Sequence, residues 1–154
     1  MIPPEIQTLL TTKGFPRRTD DRDLILKTLS ALGIDPKSDL GEFYLEYNPS
    51  LLRSTSSFEQ LEDVLPPSVE VSAPIRIDPW NSPVGMTTTF VREVWGLPAN
   101  LFCLTTSEGE GGYIYDAKTG VVYDFTLDQQ SLLADGKLPA RWDSFFEFLK
   151  WYVD

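Results

Sequence analysis

The stretch Glu108-Gly109-Glu110-Gly111-Gly112 has the residue types that come nearest to a reaction centre in this chain. Two carboxylates in a glycine turn, joined by Asp116 or Asp124, have the makings of a glycosidase-like pair or a magnesium site. The glycines also imitate a phosphate loop. The Lys and Ser/Thr of such a loop are missing, however, and two carboxylates repel an anion, so that possibility falls away. Carboxylates in a turn are ordinarily solvated, which makes an active site here the minority interpretation. Cys103, between Phe102 and Leu104, has no histidine to serve as its base and reads as a buried structural thiol.

Aromatics near those acids offer a different chemistry. Tyr113, Tyr115 and Tyr123 lie on a hairpin ringed by carboxylates, and Trp80 lies in a proline-rich loop. Aromatics bordered by acids suit a protein interface that receives Arg or Lys. Tyr113 and Tyr115 fit equally well in a core with their hydroxyls at its rim, and Trp80 reads as structural.

Composition narrows the classes further. The chain has 154 residues, 42% of them apolar and 12% aromatic, enough for one domain spanning 1–154 with a real core. Histidine is absent. That removes His-based triads, the usual imidazole base and His-containing zinc sites. With the carboxylate site a minority interpretation, no metal or cofactor is expected. It also leaves little to titrate, and charge and partner affinity should be nearly flat from about pH 6 to 8. The formal net charge is −10, unevenly placed. Residues 1–37 hold six Lys/Arg and five Asp/Glu, whereas residues 38–154 hold seven and 18. Such a surface disfavours direct nucleic-acid binding and favours a basic protein partner. There is no long apolar run and no basic-then-apolar leader pattern, so neither a membrane span nor a secretory signal is expected. A cytoplasmic location follows by default, in keeping with a single cysteine.

The elements that must position these residues follow from spacing and punctuation. Pro3-Pro4 opens a short helix carrying Ile6, Leu9 and Leu10. Asp20 or Asp21 caps a second, with Leu24, Ile25, Leu29 and Leu32 on one face and Gly33 as its stop. Ser38 caps a third through Tyr47, ended by Asn48-Pro49. Phe58, Leu61, Val64 and Leu65 have helical spacing, residues 68–77 alternate like an edge strand, and 78–83 read as a loop. Residues 87–95 fit helix or strand, and the spacing of Phe90, Val91, Val94 and Trp95 favours helix. Strands follow over 102–107, 113–116 and 121–125, the last with Val121, Tyr123 and Phe125 on one side and Val122 and Asp124 on the other. Asp143 or Ser144 caps a final helix whose Phe145, Phe148, Leu149 and Tyr152 form an aromatic stripe that packs on the sheet, extended by Trp142. The expected fold is α+β: a single domain, an antiparallel sheet with N-terminal helices and a C-terminal aromatic helix packed on it.

Three segments carry a family likeness. Leu101 to Asp116 (LFCLTTSEGEGGYIYD) with Lys118 to Asp124 (KTGVVYD), Trp142 to Leu149 (WDSFFEFL), and Ser38 to Asn48 (SDLGEFYLEYN) together resemble the SUKH superfamily over about residues 28–154. Pro49 stands where the family often has glycine, and residues 50–100 carry none of its motifs. The resemblance implies early helices, a hairpin with an acidic glycine turn, a terminal aromatic helix, and no catalysis. Bacterial members act as immunity proteins that bind and block a toxin domain, often a nuclease; a fungal member regulates cell-wall synthesis. On that footing the partner is a basic toxin domain. The contact residues are Glu108, Glu110, Asp116, Asp124 and Asp128, with Tyr113 and Tyr115 as anchors. A regulatory scaffold and, further off, a carboxylate enzyme are the alternatives. The oligomeric state is not fixed by the sequence.

Overall fold

Three of the described helices start where a short polar side chain takes up a first free amide, and another starts on proline. The computed structural model describes residues 1–49, 61, 62, 64, 88, 91–105 and 110–153. Helix α1 (Pro4–Thr12) begins on the two prolines, whose fixed φ suits a first turn. In α2 (Arg22–Leu32) the cap is Asp21, which accepts from the Asp23 amide at 2.8 Å, and the helix stops at Gly33. In α3 (Asp39–Glu46) it is Ser38, accepting from the Gly41 amide at 3.1 Å. The last helix, α5 (Phe145–Val153), is capped by Ser144, which accepts from the Glu147 amide at 3.2 Å.

Among the described residues, three strands form one antiparallel sheet in the order β1 (Leu101–Cys103), β2 (Gly111–Asp116), β3 (Val122–Thr126). Phe102 pairs with Tyr115 and Tyr115 with Val122, while Cys103 pairs with Ile114 and Ile114 with Tyr123. Paired residues share a face, so the register sorts the side chains into two sets. Phe102, Leu104, Tyr115 and Val122 join a large cluster with α1, α2, α3 and α5. Leu101, Cys103, Ile114 and Phe125 join a second with Val91, Trp95, Leu97, Leu133 and Leu138. Val122 and Phe125, one from each set, are both fully buried. The sheet is thus covered on both sides, and the architecture is α+β with the aromatic helix packed on the sheet.

Two local expectations have opposite outcomes, and one element was not expected. Thr88 and residues 91–93 are helical, as the apolar spacing there requires. Leu61, read by its spacing as helical, instead forms a β-bridge with Thr105, and the Glu62 amide donates to the Leu104 carbonyl at 3.0 Å. Burial of Leu61 beside β1 overrides the local period. After β3 the chain makes a 3-10 turn (Leu127–Gln129) and a short helix α4 (Gln130–Ala134) that the apolar pattern does not announce. The readings of residues 50–60, 65–83 and 106–109 lie outside the described residues. Among the described residues, no helix is long and apolar enough to cross a membrane.

Candidate interaction surface

The six candidate contact residues among those described do not form one surface. Glu110 directly precedes β2 and its carbonyl accepts from the Leu127 amide at 2.8 Å, which sets it beside the 3-10 turn that carries Asp128. Both side chains are exposed. Asp128 accepts from the Thr126 hydroxyl, and neither acid has a cation within ion-pair distance among the described residues. Glu108 lies outside the described residues. Glu110 and Asp128 therefore make a small anionic corner at one end of the hairpin.

Asp116 stands at the other end of β2, about 20 Å along the strand from Glu110 at the usual rise per residue. It is only 8% exposed. Its carboxylate accepts from the Asn100 side-chain amide and the Lys118 backbone amide, both at 2.8 Å, while its carbonyl takes the Gly120 amide. This acid builds the β2–β3 turn and is not offered to a partner, which corrects its place among the contact residues. The separation from Glu110 also far exceeds the roughly 5–9.5 Å of a glycosidase pair. Asp116→Ala is expected to cost about 1–3 kcal/mol, because two donors lose their acceptor. Asp116→Asn keeps an acceptor oxygen and should retain most of that stability. Urea denaturation distinguishes them, and equal midpoints for Ala and wild type would refute the turn-building role.

Tyr115 needs the same correction. It is 2% exposed and meets the Phe145 ring edge-on at 6.5 Å. Burial raises its hydroxyl pKa, against an opposing hydrogen bond with Ser38. Register puts it under the helices, where no partner can reach it.

Asp124 and Tyr113 belong to a different patch. Asp124 is exposed but ion-paired with Arg141, so its charge is largely spent within the molecule. The Arg141 guanidinium lies 4.5 Å from the Trp142 ring centre and 4.7 Å from that of Trp151. The two indoles are themselves 4.9 Å apart. Tyr113 is half-buried against this pair, at 5.7 Å from Trp142 and 5.6 Å from Trp151. Trp151, 44% exposed, is the open end of the ladder. Sequence reasoning passed over Arg141 and Trp151. The available signal was an Arg-Trp pair one helix cap ahead of a tryptophan off the apolar stripe.

Cys103 is buried, and its thiol donates to the Thr105 carbonyl at 3.3 Å. The glycines before Tyr113 serve close packing: a Cβ on Gly111 would sit 2.8 Å from the Phe125 carbonyl oxygen, and one on Gly112 3.1 Å from the Cys103 sulfur. Among the described residues, no three carboxylate or thiol side chains converge as metal ligands would. No family model and no curated protein matches the chain. The class is that of an α+β domain whose sheet, three-stranded among the described residues, is buried on both faces.

Proposed function

We propose that the protein is a non-catalytic binding protein of SUKH type, an immunity protein that neutralises a basic, nuclease-type toxin by occupying its anion-binding groove. The observation that carries this is the anionic corner of Glu110 and Asp128, uncompensated among the described residues, in a chain whose residues 38–154 hold 18 Asp/Glu against seven Lys/Arg. A groove built to grip phosphate is lined with Lys and Arg, and carboxylates at a hairpin tip can enter it as a phosphate mimic. The corner is a point of electrostatic entry only. A stable complex buries on the order of 1,600 Å², so surface beyond these two acids must take part.

The test is capture of a partner from the native host at low salt, followed by binding and activity measurements on the purified pair. The expected partner is basic, loses nuclease activity when bound, and binds more weakly by at least about tenfold between 50 and 500 mM salt. Glu110→Gln with Asp128→Asn should lower the association rate at low salt and leave dissociation less affected. An affinity indifferent to salt, or a double variant that binds like wild type, would overturn the proposal. A basic partner with no toxic activity would assign the regulatory scaffold instead.

A further inference from the structure

Two charges in this molecule stand on the helix ends that disfavour them. Arg22 is the first residue of α2, where the helix dipole presents its positive end, and Glu46 is the last residue of α3, at a negative end. They meet across a cleft of about 610 Å³ between the N-terminal segment, α2 and α3. Arg17 joins them, its guanidinium 4.6 Å above the Tyr47 ring. Arg17 and Arg22 each reach one oxygen of the same Glu46 carboxylate at 3.3 Å. One carboxylate is thus shared by two guanidinium groups, 55% and 62% exposed, that make no other hydrogen bond among the described residues.

We propose that this cleft is a binding site for a phosphate monoester carrying an apolar body, with Glu46 holding the place of the phosphate when the site is empty of ligand. The cleft has the size of ordinary small-molecule sites. Its wall is apolar at Leu26 and Leu45, and Lys37 adds a third cation. Two other acids line it, and both are engaged: Asp35 accepts from the Lys37 amide at 2.9 Å, and Glu42 pairs with the terminal ammonium. Exposed pairs such as those of Glu46 contribute little to stability, so an incoming anion displaces that carboxylate at small cost. A phosphate has three free oxygens, enough to serve both guanidinium forks and the ammonium together. A carboxylate has two, and would reproduce only what Glu46 already supplies.

Titration calorimetry of the full chain with phenyl phosphate, inorganic phosphate, benzoate and phenol tests the assignment. Phenyl phosphate is expected to bind saturably below about 10 mM, more tightly than the other three probes. Arg22→Gln should weaken it about tenfold, and Glu46→Gln should tighten it severalfold by removing the competing carboxylate. Arg22→Lys should recover part of the loss, since it restores charge without the fork. The side chains at both positions are largely open to solvent, and an unchanged melting curve confirms that each variant is folded. The opposite responses at Arg22 and Glu46 are the signature, because a merely structural trio would move neither. No saturation by phenyl phosphate, affinity unchanged in both variants, or benzoate or inorganic phosphate binding as tightly as phenyl phosphate would each overturn the proposal.

Discussion

Phe145→Ala is expected to cost about 3–5 kcal/mol of unfolding free energy, the largest effect of any single truncation considered for this molecule. Phe145 is buried at the first turn of α5 and meets Phe43 of α3 at 5.2 Å, Tyr115 of β2 at 6.5 Å and Phe148 of its own helix at 6.1 Å. One ring therefore joins an early helix, the central strand and the last helix. Its removal opens a cavity walled by three other rings, which cannot collapse without shifting elements from both ends of the chain. Single domains of this size are stable by about 5–15 kcal/mol, so the loss is a large share of the total. The exposed Leu132, truncated to alanine, should change stability by no more than about 0.5 kcal/mol. Urea unfolding followed by circular dichroism gives both numbers. A Phe145→Ala loss below about 1.5 kcal/mol would show that the ring does not join these elements.

Gly41→Ala is the second large effect, and its sign is the informative part. Gly41 lies inside α3, where helix propensity alone makes alanine better by about 1 kcal/mol. Packing argues the other way. A Cβ there would sit 2.2 Å from the Asp35 carbonyl oxygen and 2.8 Å from the Pro36 Cα. Both are backbone atoms, so no side chain can rotate aside. The loop they belong to is held by the Ser38 amide on the Asp35 carbonyl at 3.0 Å, the Ser38 hydroxyl on the same oxygen at 2.6 Å, and the Lys37 amide on the Asp35 side chain. Relieving the clash means breaking these bonds or moving α3 off its neighbours, and overpacking of this kind costs about 1–3 kcal/mol or more. The steric term wins, and a lower urea midpoint is expected. A variant more stable than wild type would mean that α3 and the Asp35–Pro36 loop do not approach so closely.

Much of the helical framework is legible in the sequence because it is written in local chemistry. Asp21, Ser38 and Ser144 act as caps where short polar side chains precede apolar periodicity, and Gly33 stops α2. The aromatic stripe of α5 faces the core at Phe145, Phe148, Leu149 and Tyr152, as its spacing requires. The 3-10 turn and α4 were legible too, in the Thr126 to Gln129 capping box, but the apolar signal is weak there. Leu61 shows the opposite failure, a helical period overruled by a bridge to Thr105 forty-four residues away in the chain.

The candidate surface was less legible, for a definite reason. Alternation along β2 and β3 separates two faces but does not say that both are covered. Tyr115 and Asp116 therefore looked as available as Glu110. Register puts the first under a helix and the second into the adjoining turn. The seat of Arg141 over both Trp142 and Trp151 depends on how α5 returns over the sheet, a tertiary relation with no local trace. Arg22 and Glu46 are different again. Each breaks a local rule for helix ends, and such violations are a reasonable place to look for function once the partner across the cleft is known.

The alternation of Phe102 with Cys103, and of Tyr115 with Ile114, has a mechanical corollary. Adjacent links of the same backbone are rooted in opposite oily compartments, so neither compartment can be drained while the other stays dry. Thermal or chemical disruption that begins beneath Trp95 must drag on the strands that anchor Phe148 and its neighbours. The three strands behave like a partition wall shared by two rooms, and the whole unit gives way in one concerted step.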